Sequence, residues 1–257
     1  MKRRIDQLLV ERGFAESRHK AQALLLAGRI LVKEQKVEKP GQQVDAESEI
    51  RVLHQLQYAS RAGAKLQAAL DHFQIAVAGW TCADLGASTG GFTDCLLQRG
   101  ASRVYAFDVG QGQMDWRLQS DPRVIVRDRF NVRNLSPADL PADVRFVCID
   151  LSFISVTKVL LPLKDALTAG ENLQESAGEA ARVDIIVLVK PQFEVGKGEV
   201  GKGGIVRNPD KRERALEEVK EFSRRTAYRV VGSIPSPITG AEGNQEFLLY
   251  LQLAKGL

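Results

Sequence analysis

Acidic side chains and one lysine recur at the ends of apolar runs in this 257-residue chain. Asp108 follows Val104 to Phe107, Asp128 follows Val124 to Arg127, Asp150 follows Arg145 to Ile149, and Lys190 follows Ile185 to Val189. Such runs read as buried parallel strands, and an open α/β sheet binds its ligands at the carboxyl ends of its strands. Lys190 then emerges at a cleft edge next to Asp150, where burial and a second cation can make a lysine a proton acceptor. It also reads as a surface lysine snorkelling outward. The densest signal is Asp84-Leu-Gly86-Ala87-Ser88-Thr89-Gly90-Gly91-Phe92, in which a strand turns into a helix. Glycines there let backbone approach a ligand, and the amides of the first helical turn point at it. An ordinary tight βα turn is the plainer alternative. As a seat for a nucleotide-type cofactor the loop lacks the second glycine of a dinucleotide fingerprint. Asp108, on the next strand end, is placed to accept both hydroxyls of a ribose.

These residues need a sheet to carry them. Strands are expected at Thr81 to Ala87, Val104 to Val109, Val124 to Arg127, Arg145 to Asp150, Asp184 to Val189, Val230 to Ile234 and Phe247 to Leu253. Helical stretches separate them, which implies an α/β fold with a mostly parallel sheet covered on both faces. Asn208-Pro209-Asp210 starts the last helix with a cap and a first-turn proline. Ala169 to Ala181 reads as a surface loop. Gly196-Lys-Gly-Glu-Val-Gly-Lys202-Gly203 nearly spells a P-loop, but glycine stands where Ser or Thr is required. It reads as a basic loop closing over a ligand or as plain surface.

Before Arg61 the chain has another character. Residues 1 to 61 hold 12 Lys/Arg against 8 Asp/Glu, a balance of +4, and residues 62 to 257 hold 24 of each. A small basic unit ahead of a neutral one suggests a polyanionic partner, unless the charge is only a solvated face. Within it Ile5, Leu8 and Leu9 form one helical face ended by Gly13, Ser17 caps a second helix ended by Gly28, and short strands follow. The turn Lys33-Glu34-Gln35 lacks the Asn-Gly that a tight hairpin favours. Domains are therefore expected at 1–60 and 61–257. Cys82, Cys95 and Cys148 are widely spaced, apart from His19, His54 and His72, and read as buried thiols without a metal site. No signal peptide or spanning segment is apparent, so a cytoplasmic protein with no membrane partner is expected.

The N-terminal segments Ser17-Arg-His-Lys-Ala21 and Ala27-Gly-Arg-Ile-Leu-Val32 resemble the S4 RNA-binding domain. That resemblance makes Arg3, Arg4, Arg18, Lys20 and Arg29 the candidate phosphate contacts, which give affinity rather than sequence choice. The loop from Asp84 resembles motif I of S-adenosylmethionine (SAM) dependent methyltransferases. Together with Asp108 to Gln113, Asp150-Leu-Ser-Phe-Ile-Ser155, Val189-Lys-Pro-Gln-Phe-Glu194 and Ser236 to Phe247, it makes nearly the whole chain similar to the TlyA (haemolysin A) family. The resemblance implies a Rossmann-like SAM-dependent methyltransferase domain, FtsJ-like, with an antiparallel last strand behind an α+β S4 domain. It also implies methylation of ribose 2'-hydroxyls in ribosomal RNA. Cofactor contacts are expected from Asp84, Gly86, Ala87, Ser88, Thr89, Gly90, Gly91, Phe92, Asp108, Val109 and Asp128. FtsJ-like enzymes share a Lys-Asp-Lys-Glu tetrad, matched by Lys65, Asp150, Lys190 and Glu246. Lys190 would take the hydroxyl proton, Asp150 and Glu246 would orient, and Lys65 would tune or position. Ala62 and Ala64 depart from the family's pattern around Lys65. The rival readings are an RNA-binding assembly factor that keeps the SAM pocket, and a membrane-active haemolysin, which lacks an amphipathic or spanning segment. The oligomeric state is not legible.

Overall fold

A computed structural model of the chain describes residues 2–26, 28–52, 57–169, 182–196, 198–201, 203–240 and 243–254. The stretch 170–181, Lys197 and Lys202 lie outside them, so all of the expected surface loop but Ala169, and both lysines of the P-loop-like segment, do too. The chain divides into two compact units, Met1–Leu56 and Gln57–Leu257. The division falls before residue 60 because the next residues belong to the second unit. Tyr58 is buried and donates from its hydroxyl to Gln67 Oε1 (3.0 Å), and the Ala59 amide donates to Asp94 Oδ2 (2.8 Å).

The first unit runs β1 (Lys2–Arg4), α1 (Ile5–Glu11), α2 (Arg18–Leu26), β2 (Ile30–Val32), β3 (Gln35–Val37), β4 (Gln43–Asp45) and β5 (Ile50–Val52). Ile5, Leu9, Ala21, Leu25 and Ile30 are fully buried and form its core. Each helix ends where expected: Gly13 and Gly28 both take positive φ (+76° and +65°), which a side chain disfavours. The Ser17 hydroxyl accepts from the Lys20 amide at 3.3 Å, capping α2. β2 and β3 pair antiparallel around Lys33 and Glu34, both left-handed (φ +50° and +61°). The hairpin therefore keeps the mirrored two-residue turn that suits strand twist, without the residues that adopt it most easily.

The second unit holds α3 (Ala62–His72), β6 (Thr81–Leu85), α4 (Gly91–Gln98), β7 (Arg103–Phe107), α5 (Trp116–Gln119), β8 (Val124–Arg127), β9 (Val144–Ile149), α6 (Thr157–Thr168), β10 (Arg182–Val189), α7 (Pro191–Glu194), α8 (Pro209–Arg225), β11 (Arg229–Pro235) and β12 (Phe247–Ala254). Seven strands lie in the order β11-β12-β10-β9-β6-β7-β8. β6 to β10 are mutually parallel, and β12 inserts antiparallel between β10 and β11. Burial at all five positions of β6 is what a strand covered on both faces requires. One face packs residues such as Val159, Leu163 and Val219 from α6 and α8, the other Leu66, Leu70 and Leu96 from α3 and α4. Asn208 Oδ1 accepts from the Asp210 amide at 2.8 Å, so α8 starts at its expected cap. Among the described residues no helix is long and apolar enough to cross a membrane.

β6 and β9 stop one or two residues before their expected ends. Gly86 leaves the strand region at φ +95°, and Asp108, Asp150 and Lys190 each stand immediately past a strand. Those side chains are thereby free to turn into the space above the sheet.

Candidate active site

Among the described residues, three recesses open at the carboxyl edge of this sheet. The first, about 410 Å³, is lined by the Gly86 and Ser88 turn, by Asp108 and Val109 after β7, and by residues 130–133 and 150–154. A Cβ on Gly86 would sit 2.2 Å from the Asp150 carbonyl oxygen, so the β6 turn can pass under β9's end only as glycine. Gly91 is crowded too, its notional Cβ lying 2.2 Å from the Ser60 side-chain Oγ. The amides of Gly86 and Ala87 both donate to the Phe107 carbonyl (2.9 and 3.0 Å). Ser88, left-handed at φ +47°, donates its amide to Asp108 Oδ2 (2.8 Å) while the Gly110 amide donates to Oδ1 (2.7 Å). Both oxygens of Asp108 are thus fixed in the wall with lone pairs to spare, an acceptor suited to a diol.

Not every expected contact sits in this wall. Asp128 is exposed and accepts from the Gly112 amide (2.7 Å), bracing the loop after Asp108; Phe130 and Asn131 line the cleft instead. Asp84 lies beneath the turn, fully buried, with Oδ2 taking the Thr93 hydroxyl (2.7 Å) and Oδ1 without a hydrogen-bond partner among the described residues. Burial pushes its carboxyl up to about 7; the Thr93 hydrogen bond opposes that shift and the nearby Asp150 charge adds to it. Ala87, Thr89, Gly91 and Phe92 line the second recess, about 160 Å³, with Ser60, Asp150, Ser152 and Lys190. Gly90 takes φ +90° at the head of α4 and packs its backbone under Leu118.

The four tetrad residues form two ion pairs. Lys65 on α3 reaches Glu246, just before β12, at 2.5 Å, both buried. Lys190 lies 2.6 Å from Asp150 Oδ1, an ion pair by distance whose angle falls short of a hydrogen bond, and donates to Ser152 Oγ at 2.9 Å. A third recess, about 370 Å³, has Lys190 and Glu246 in its wall together with Ser152, Phe153 and Phe193. Ser152 borders all three recesses and Lys190 the second and third, so the Lys190 ammonium stands where they meet.

Ser152, Phe153 and Phe193 are the functional candidates that the pattern of strand ends did not single out. Phe153 is left-handed (φ +67°) and 88% exposed, and its ring lies 5.3 Å from that of Phe193. A large exposed side chain on strained backbone marks a site more often than a scaffold. Glu194 ties this corner down, accepting from Ser155 Oγ (2.6 Å) and the Val156 amide (2.9 Å), and burial raises its carboxyl. The cysteines take no part: Cys82 and Cys95 are pushed up to about 12 by burial, and Cys148 is raised too.

Residues 58–253 match the FtsJ-like methyltransferase family and residues 3–50 the S4 domain. The chain is 44% identical over 252 residues to the 16S/23S rRNA (cytidine-2'-O)-methyltransferase TlyA of Mycobacterium tuberculosis, covering 97% of this chain and 89% of that protein. The chain belongs to the TlyA family. Another TlyA-family relative, Hemolysin A of Brachyspira hyodysenteriae, is 38% identical over 248 residues, covering 96% and 98% of the two chains. A solved hemolysin-named protein of Streptococcus thermophilus is 38% identical and matches 98% of this chain and 89% of its own with a TM-score of 0.71. A SAM-dependent methyltransferase of Mesorhizobium loti shares the fold at 16% identity, 74% and 98% coverage and a TM-score of 0.50. The tetrad pairs, the glycine turn and Asp108 all fall within the FtsJ-like match.

The S4 unit carries the five expected phosphate contacts. Arg3 pairs with Glu11 and Lys20 with Glu16, while Arg4 and Arg18 converge on Asp6. Arg29 lines a groove with Phe14, Leu24 and Lys20.

Proposed function

We propose that this chain transfers a methyl group from SAM to a ribose 2'-hydroxyl of ribosomal RNA, in the cytoplasm, with residues 1–56 binding the RNA and 57–257 carrying the reaction. The observation that carries this reading is the position of the Asp150–Lys190 pair, at the junction of a nucleoside-sized cleft and a second cleft open to solvent. The residues present fit SAM: Asp108 offers a fixed acceptor for the ribose diol, the Gly86 turn excludes side chains, and the buried Oδ1 of Asp84 awaits a donor or cation. The bound cofactor supplies an electrophilic methyl on a sulfonium.

Everything else falls to the chain. A ribose hydroxyl is a weak nucleophile near neutral pH, so it must be held in line and relieved of its proton as it attacks. Lys190, with its proton released, accepts from the hydroxyl, and Asp150 and Ser152 fix its Nζ at 2.6 and 2.9 Å. Lys65 holds Glu246 in the wall of the acceptor cleft. Phe153 and Phe193 offer a surface on which the target's base can stack once drawn from its helix. The relatives named as rRNA cytidine-2'-O-methyltransferases support both the acceptor atom and the substrate.

Incubation with methyl-labelled SAM and ribosomal subunits, or their naked RNA, tests this reading. Label enters RNA with the wild-type chain and about 10³-fold more slowly with Lys190→Ala. An absence of label across every subunit and RNA tried sinks the reading, leaving a chain that binds cofactor and RNA without reaction.

A further inference from the structure

Asp6, at the start of α1 in the S4 unit, is fully buried, yet its carboxylate serves two half-exposed arginines. Arg4 donates from Nε to Oδ1 (3.1 Å) and from Nη2 to Oδ2 (3.0 Å); Arg18 donates from Nε to Oδ2 (2.8 Å), and Gln22 Nε2 adds a bond at 3.1 Å. Two guanidiniums against one carboxylate leave the group a net positive charge. The outer nitrogens, Arg4 Nη1 and both Nη atoms of Arg18, make no hydrogen bond to the described residues, and the two side chains remain 37% and 51% exposed. A buried carboxylate of this kind does more than neutralise. It fixes two planar forks with their free N–H groups outward, a geometry that matches phosphate oxygens in bidentate fashion. Asp6 is held far below the usual carboxylate range, first by Arg4, so it is charged near neutral pH.

We infer that Asp6 is a positioning residue that pre-orders Arg4 and Arg18 as one clamp for a phosphodiester of the RNA backbone. This rests on the reading of the chain as an RNA methyltransferase and adds to it how the S4 unit grips its substrate. Freezing both side chains beforehand spares the entropy of ordering them on binding. Bulk electrostatics makes the opposite forecast to the clamp. Asp6→Asn removes a negative charge and should tighten binding to a polyanion if only net charge counts; the clamp requires that it loosen binding.

The test is the dissociation constant of the full-length chain for transcribed ribosomal RNA at several salt concentrations, with thermal melts alongside. Asp6→Asn is expected to bind about tenfold more weakly. Arg18→Lys, which keeps the charge and loses the fork, is expected to lose a similar factor, and the two changes together little more than either. Methyl transfer by these variants should show a raised KM at an unchanged kcat. Equal or tighter binding by Asp6→Asn, or wild-type binding by Arg18→Lys, overturns the clamp. Should Asp6→Asn fail to fold, Arg18→Lys and Arg4→Lys, altered at exposed side chains, decide the matter. A wild-type chain that binds no ribosomal RNA overturns the functional reading as well, an outcome distinct from failure of the variants alone.

Discussion

The two ion pairs of the catalytic unit share chemistry and differ in setting. The two lysines are equally buried, Lys65 10% and Lys190 11% exposed, but Glu246 is 3% exposed, borders only the third recess and joins α3 to the entry of β12, whereas Asp150 is 17% exposed and its pair faces all three recesses. A sealed pair holds elements together, and removing one partner strands a charge in a poor solvent for it. A pair open to ligand can exchange partners. On the proposed function, the contrast assigns one Lys-carboxylate pair to keeping the acceptor cleft in shape and the other to the reaction within it.

Breaking the open pair should give the largest effect on rate. Lys190→Ala is expected to lower kcat by about 10³-fold, within the range of general-base catalysis, while the melting temperature and affinity for S-adenosylhomocysteine hold. The sealed pair should behave in the opposite sense. Glu246→Ala is expected to cost about 3–5 kcal/mol of stability by chemical denaturation. Lys65→Met combined with Glu246→Leu should recover most of that loss and none of the activity. If Lys65→Met alone leaves stability untouched, the division between the pairs is wrong.

The position of the open pair was legible from the sequence, whereas Lys65 and Glu246 entered only through the family resemblance. Apolar runs such as Ile185 to Val189 announce buried strands, and the residue after a buried parallel strand must stand at the carboxyl edge, so Asp108, Asp150 and Lys190 could be placed by position alone. The strands of the second unit were legible for the same reason. Orientation was not. Asp128 occupies a strand end yet turns outward to the Gly112 amide, and the chain returns to the cleft only at Phe130 and Asn131. Asp84 begins the motif but sits beneath it, held by Thr93. Phe153 owes its place to a left-handed backbone and a ring from α7, contacts that no local pattern encodes. In the S4 unit Arg4 and Arg18 were legible as basic, while their shared carboxylate required the packing of α1 against α2.

Asp84 gives a smaller, pH-dependent effect. Its carboxyl is raised in the folded state from an ordinary 3.8 to about 7, so the folded chain binds the extra proton between those values. Stability contributed by the protonated form is full below about pH 4 and is lost as pH rises through 7. Asp84→Asn should remove that slope, raising stability of the ligand-free chain at pH 8 by on the order of a few kcal/mol. It should weaken S-adenosylhomocysteine binding in the same titration. A slope unchanged by the substitution would mean that the carboxylate is already satisfied.

Phe153 should show the smallest effect. Phe153→Ala is expected to raise KM for RNA about tenfold, the worth of one stacked base, and Phe153→Trp to preserve it. Phe153→Gly should melt higher than Phe153→Ala, because glycine accepts the left-handed backbone freely. Equal KM values for all three would remove the ring from the acceptor cleft's function.

The central claim is that the methyl reaches a ribose oxygen beside Lys190. Alkali cleaves RNA through the 2'-hydroxyl, so a methylated ribose leaves its linkage intact. Ribosomal RNA labelled by the chain from methyl-labelled SAM, then hydrolysed with alkali, should carry its label in a resistant dinucleotide, and Lys190→Ala should introduce that label about 10³-fold more slowly. Label released in mononucleotides, as a methylated base would give, or a dinucleotide labelled by Lys190→Ala at the wild-type rate, would contradict the account.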